Sequence, residues 1–240
     1  SSHDEVADLA SQSGRVSGLS EPIAEIVRLA ALASRRDPFD PMERAIHEAR
    51  PRDRAESAER DDWTLVREYE LSSELLAVSY AWRTDKGDEV LVATKGAPEA
   101  VAKLCRLDAS ESDRLSAQVA ELGAQGLRVL CVASASLTSD SLPSDHADLA
   151  PTLRGLVAFE DPLRPAVPAA VAQCRTAGIR VVMITGDSPV TARSIARQAG
   201  IDVEAPVLTG AELAGMSDEE LAARVRDIRV FARVVPQQKL

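Results

Sequence analysis

Arg180-Val181-Val182-Met183-Ile184 runs directly into Thr185-Gly186-Asp187 and then into a segment of helical pattern. That order sets a hydroxyl, a small residue and a carboxylate at the carboxyl end of a strand, the edge at which open α/β sheets take ligands. Gly186 permits close backbone approach, the helix amino terminus that follows attracts anions, and Asp187 suits a metal–phosphate centre. A second cluster is Lys95-Gly96-Ala97-Pro98-Glu99, which joins a strand-end lysine, a glycine and a helix opening. A lysine ammonium is a point-charge partner for phosphate. Taken alone, the first motif also fits an ordinary strand-to-helix turn and the second a surface lysine at the end of a hairpin.

The elements that must position these residues follow from periodicity. Ser20-Glu21-Pro22 with Ile23, Ile26, Val27 and Ala30 predicts a capped helix, and Asp40-Pro41-Met42-Glu43 repeats the signal with a Glu three residues after the cap. Residues 50–62 are charged and poor in apolar side chains, as in a solvated loop or helix end. Strand patterns cover 65–71, 75–82 and 90–94, with Asp85-Lys86-Gly87-Asp88 as the turn of an antiparallel hairpin. Helices are expected over 98–104 and 112–122, and a strand over 127–133. The Ser-, Asp- and Pro-rich stretch 134–151 reads as a linker or irregular excursion. Beyond it the rhythm is α/β: a strand over 153–159, a helix over 166–177, a buried strand over 179–184, a helix over 190–199 and a short strand over 230–234. Two halves therefore meet near Ala150.

Composition limits the partners. The 240 residues are 45% hydrophobic and 28% charged, the make-up of an ordinary globular protein with a sizeable core. Aromatics are only 3%, so that core is aliphatic. A net charge of -10 opposes nucleic acid and acidic lipid surfaces, while leaving room for a local basic pocket for one nucleotide. Cys105, Cys131 and Cys174 are dispersed and odd in number, which points to a reducing compartment without disulfides or a thiolate metal cluster. His3, His47 and His146 lack metal-ligand spacing, so no metal ligands are assigned. No apolar run approaches the roughly 20 residues that span a bilayer, and the start is not a signal peptide, so the chain is expected to be soluble.

Five elements in fixed order carry a family resemblance: Lys95-Gly96-Ala97-Pro98-Glu99, Gly126-Leu127-Arg128, Asp161-Pro162-Leu163-Arg164-Pro165, Met183-Ile184-Thr185-Gly186-Asp187, and Phe231-Ala232-Arg233-Val234 with Pro236 and Lys239. Together they resemble the P-type ATPases over nearly the whole chain. The resemblance implies an α+β nucleotide-binding domain, an antiparallel sheet with flanking helices, over residues 1–150. It implies an incomplete α/β domain of the haloacid dehalogenase-like type, part of a phosphorylation domain, over 151–240. It implies that Lys95 and Gly96 line an adenosine pocket, that Glu43 contacts the adenine side and that Arg128 reaches the phosphates. Thr185, Gly186 and Asp187 resemble the phosphoryl and nucleotide contacts, Asp161 a hinge-side aspartate, and Arg233 and Lys239 basic groups near ribose and phosphate. A transferring phosphoryl group needs such fixed positive groups and a metal around its oxygens.

The implied ligands are ATP and Mg2+, and the implied partners are a transported cation together with the remaining phosphorylation, actuator and transmembrane domains at the cytoplasmic face of a membrane. The presence of Lys-Gly-Ala-Pro-Glu favours an ordinary cation over a heavy metal.

Some family features are missing. Leu71 and Leu76 stand where the family carries a stacking aromatic and a lysine. Neither Asp-Lys-Thr-Gly-Thr, with the phosphate-accepting aspartate, nor the Gly-Asp-Gly-x-Asn-Asp segment for magnesium occurs, so this chain alone is expected to be inactive and its second half to have exposed sheet edges. The competing readings are a stand-alone haloacid dehalogenase-like phosphatase and a non-catalytic nucleotide-binding module. The phosphatase needs an early strand ending in a nucleophilic aspartate, which Asp4, Asp8 and Asp37 do not supply.

Overall fold

Pro22 in the first turn and the helical spacing of Ala24, Val27, Ala30 and Ala31 produce α1 (Glu21–Leu32), with those four residues buried. Ser20 takes the cap position and its carbonyl accepts from Ala24 N, but contrary to expectation its hydroxyl makes no capping bond. At α2 (Pro41–Ala49) Asp40 caps as the sequence suggests, accepting from the amides of Met42 at 2.9 Å and Glu43 at 3.2 Å. The computed structural model describes residues 19–50, 63–72, 74–84, 87–160, 163–235 and 238. By its contacts the chain divides into two units, residues 1–115 with 130–157 and residues 116–129 with 158–240.

The first unit is built on a five-stranded sheet in the order β1 (Thr64–Tyr69), β2 (Ala77–Arg83), β3 (Glu89–Gly96), β4 (Arg128–Thr138), β5 (Thr152–Phe159). The first three pairings are antiparallel. Between β3 and β4 the chain forms α3 (Pro98–Leu104) and α4 (Ala109–Ala124). Side chains alternate across a strand, so β2 serves two layers. Trp82 hydrogen-bonds Leu32 O at the end of α1, and the ring stacks with Tyr80. Ala81, on the opposite face, packs with Tyr69, Val90, Val92 and Leu149. Gly155 of β5 lies against α1 so closely that an added Cβ would come within 2.5 Å of Ile26 Cδ1.

Two expectations are corrected here. Of the stretch 134–151 read as a linker or irregular excursion, Ser134 to Thr138 instead complete β4, and the rest is an irregular excursion with 3-10 turns at Ser139–Ser141 and His146–Asp148 that packs on the sheet. Leu149 anchors it at 4% exposure, Tyr69 donates to Pro143 O at 2.6 Å, and His146 Nε2 meets Ser79 Oγ at 2.8 Å. Its Ser141 and Asp145 side chains bond locally, to Thr138 and to the amide of Ala147, and so hold these turns. The strand over 152–159 does not open the α/β half, because it hydrogen-bonds to β4 at the sheet edge.

His146 supplies a pH dependence. It stacks on Tyr69 with centroids 5.2 Å apart, and burial pushes its imidazole below the ordinary value of 6.5, against a smaller upward pull from Asp145. Just below pH 6.5 the unfolded chain binds the proton while the folded chain resists it, so stability is fully present above 6.5 and falls as pH drops. Urea midpoints of the parent are expected to decline between about pH 7.5 and about pH 5.5 more steeply than those of His146→Gln. Equal slopes would show that His146 is not the titrating group.

The second unit holds a parallel three-stranded sheet in the order β6 (Met183–Ile184), β8 (Val230–Ala232), β7 (Leu208–Thr209). Around it run α5 (Val167–Thr176), α6 (Pro189–Gln198), α7 (Gly210–Ala214) and α8 (Asp218–Arg224). Central β8 splits the core by alternation: Val230 and Ala232 pack with Ala192 and Ala196 of α6, and Phe231 packs with Leu208, Ile228 and Val234. The buried strand expected over 179–184 is reduced to Met183–Ile184, with Ile179 59% and Ile184 48% exposed. The reason is its place at the edge, where among the described residues it pairs only with β8. The elements β7, α7 and α8 escape a periodicity search because each spans only two to seven residues.

Candidate functional site

The sequence-selected residues fall into two clusters, one within each unit. In the first, β3 ends in Lys95-Gly96, and Lys95 pairs across the sheet with Val78, on the same face as Tyr80 and Trp82. Its ammonium meets Ser34 Oγ at 2.6 Å, just past α1, and Glu43 Oε1 at 2.5 Å, in the first turn of α2. Glu43 is therefore diverted from the reciprocal capping bond that its spacing suggests. Lys95 is only 7% exposed, and burial lowers its pKa from 10.5 despite the opposing pull of Glu43. An ammonium has three N–H donors. Ser34 and Glu43 engage two of them, which leaves one for a ligand among the described residues.

Gly96 is there because nothing larger fits. A Cβ would lie 2.6 Å from Ala77 Cα and from Leu76 O, and that same carbonyl accepts Ala97 N at 2.8 Å. Nearby, Tyr80 donates to Glu68 at 2.8 Å, and burial together with Glu68 raises its phenol to about 12. Ser34 was not anticipated. It lies 61 positions from Lys95 and carries no motif, its one signal being a polar residue at the end of an alanine-rich helix.

In the second unit Thr185-Gly186-Asp187 leaves β6 and enters α6, whose cap is Ser188 accepting from Thr191 N. Asp187 is gripped on both oxygens, by Arg128 Nε on Oδ1 at 2.7 Å and by Thr185 Oγ1 on Oδ2 at 2.7 Å. Arg233 N donates to Asp187 O and Val234 N to Thr185 O, so the loop after β8 frames the motif. Arg233 has φ of 50°, in the left-handed region, and its guanidinium donates to Gly186 O at 3.4 Å. A Cβ on Gly186 would meet nothing closer than Val234 O at 4.0 Å, so packing does not impose this glycine. Thus Arg128, Thr185, Gly186, Asp187 and Arg233 come together, whereas Asp161 and Lys239 lie outside the described residues.

The donor sets decide what each cluster can hold. The first offers a desolvated ammonium with one donor left over, suited to an anionic or polar ligand. The second is a carboxylate already satisfied by a cation and a hydroxyl. Among the described residues no group of three or more His, Cys, Asp or Glu side chains is placed to hold a metal ion. Among them, too, no helix is long and apolar enough to cross a membrane.

Comparison with known proteins meets this geometry from outside. Residues 39–166, which include Glu43, Lys95, Gly96 and Arg128, match the family model described as P-type ATPase, cytoplasmic domain N. The chain is 36% identical over 188 residues to the "Probable cation-transporting ATPase I" of Mycobacterium leprae, covering 74% of this chain and 12% of that protein. It is 34% identical over 197 residues to the "Sodium/potassium exporting P-type ATPase cta3" of Schizosaccharomyces pombe, covering 74% and 19%. It is 36% identical over 201 residues to the "Potassium-transporting ATPase alpha chain 2" of Homo sapiens, covering 64% and 19%. The chain thus spans between an eighth and a fifth of the length of these relatives. With the model covering more than half of its residues, Glu43, Lys95 and Gly96 among them, the chain belongs to the P-type ATPases and contains their cytoplasmic domain N.

Proposed function

We propose that this chain is the ATP-binding portion of a P-type cation-transporting ATPase, working at the cytoplasmic face of a membrane with transmembrane, actuator and further phosphorylation segments. The observation that carries this reading is the buried Lys95 ammonium, held by Ser34 and Glu43 at the edge of Gly96. Desolvation makes that cation a strong donor, and Glu43 fixes its position before a ligand arrives. In this reading the Lys95–Glu43 pair and Gly96 receive adenosine, and Arg128 has the phosphate role that the family resemblance gives it. Thr185, Gly186, Asp187, Arg233, Asp161 and Lys239 serve phosphoryl transfer to an aspartate that this sequence does not contain, with the second unit as part of a haloacid dehalogenase-like domain. Without that acceptor there is no covalent route, so ATP is bound and not turned over by this chain. Titrating ATP while following the tryptophan emission tests the reading, since Trp82 lies between Tyr80 and the segment leading to Ser34. Saturable binding that is lost in Arg128→Ala supports the phosphate role, and an unchanged isotherm removes it.

Restoring the two family side chains is a sharper test. Leu71 is 58% exposed, so it is not a core residue, and Leu76 lies beside Gly96. The chain reverses between them: Ser72 N donates to Leu75 O, and Leu75 N to Ser72 Oγ at 3.0 Å. That turn removes the alternation that would set residues five apart on opposite faces of a regular strand. Leu71→Phe with Leu76→Lys is expected to tighten ATP by about one to two decades, from stacking and a desolvated cation together. A folded double variant with unchanged affinity in calorimetry would refute the assignment of these two positions.

A further inference from the structure

We propose that Phe39 provides the apolar face against which the base of the bound nucleotide lies, an inference that rests on the reading of Lys95 and Glu43 as a nucleotide site. Phe39 immediately precedes the cap of α2, where an apolar residue ordinarily packs on the residue four places into the helix. That residue is Arg44, and the staple is not made: Phe39 is 80% exposed, the most exposed large hydrophobic side chain among the described residues. Local structure therefore leaves the ring uncovered.

Its position is nevertheless defined. Pro38 and Pro41 restrict the backbone on either side, and Asp40 is tied to the amides of Met42 and Glu43. Presenting the ring to a ligand thus orders few bonds that are not already ordered. The five-residue run from Phe39 ends in Glu43, whose carboxylate grips Lys95. One helix terminus consequently carries a flat apolar surface and, within a turn of it, a buried ion pair. A nucleotide base has the matching make-up, with an apolar face and a polar edge, and its ribose and phosphates extend toward cations. A purely anionic ligand would leave the ring exposed, and a purely apolar one would leave Lys95 without a third acceptor.

Calorimetry on the whole chain, with ATP and inorganic tripolyphosphate as separate probes, tests this. Phe39→Ala is expected to weaken ATP about five- to tenfold while leaving tripolyphosphate binding unchanged. Phe39→Trp is expected to retain ATP affinity and to show quenching of the new indole on ATP addition. If Phe39→Ala binds ATP as the parent does while Lys95→Gln does not, the inference fails and the nucleotide site stands. Equal weakening toward both probes would also overturn it, since the ring would then act on the fold or the charges and not on the base. If the parent does not bind ATP, or Lys95→Gln binds it unchanged, the underlying reading fails and the inference with it.

Discussion

Lys95→Ala is expected to lower folding stability by about 3 kcal/mol, and a Lys95→Met, Glu43→Gln double variant to recover most of that loss. Removing one member of a buried ion pair typically costs about 3–5 kcal/mol because the other charge is left without compensation, whereas replacing both members is often close to neutral. The lower end applies here, since the Glu43 side chain is 17% exposed against 9% for Lys95 and water reaches part of its carboxylate. Ser34 loses a donor as well, though its hydroxyl keeps its bond to Ala30 O at 2.8 Å. Methionine refills the alkyl volume of the lysine and glutamine keeps the shape of the glutamate. Urea unfolding of the three chains, compared at constant m-value, reads the result. Equal losses in the single and double variants would mean that packing of the lysine stem, not the unpaired carboxylate, sets the cost.

Gly96→Ala is expected to be comparably damaging for a different reason, at about 3 kcal/mol, near the upper end of the usual overpacking range. The new methyl would meet Ala77 Cα, Ala77 Cβ and Leu76 O, all at 2.6 Å, and two of these three atoms are backbone that cannot turn aside. Ala77 and Gly96 are direct partners in the register of β2 and β3, so relief requires the strands to part at that end. The control is Gly87→Ala in the hairpin turn, where no atom lies within 4 Å and the only penalty comes from φ of 76°. That substitution should cost about 1 kcal/mol, the usual strain of a left-handed residue with a side chain. If Gly96→Ala and Gly87→Ala proved equally mild, the register at the Lys95 end of the sheet would be wrong.

Much of this arrangement is legible in the residues, and what is not has identifiable causes. Asp40-Pro41 and Ala97-Pro98 mark helix starts because a cap side chain and a first-turn proline are local devices, and the helices begin there. The β2 and β3 hairpin follows from strand patterns flanking Gly87, again a matter of near neighbours. Failures occur where distant contacts decide. The 134–151 stretch reads as a linker or an irregular excursion because its sequence is polar, yet the Pro143 carbonyl and the His146 ring bond to Tyr69 and Ser79, about 70 positions away. The β6 strand reads as buried because its residues are apolar, and pairing on only one side is invisible to periodicity. At the site, Lys95, Gly96 and Glu43 stand out by motif, but their union through Ser34 joins three parts of the chain that no local pattern connects.

The account rests most heavily on one claim, that ATP is received at the Lys95–Glu43 pair, and isothermal calorimetry tests it with the parent and the Lys95→Met, Glu43→Gln variant side by side. Because that variant is expected to stay folded, a change in affinity reports on the site and not on unfolding. The parent should bind one ATP per chain, and the variant should bind it at least about tenfold more weakly, as the loss of a desolvated, charge-assisted contact requires. Equal affinities in the two folded proteins, or no binding by the parent, would contradict the claim.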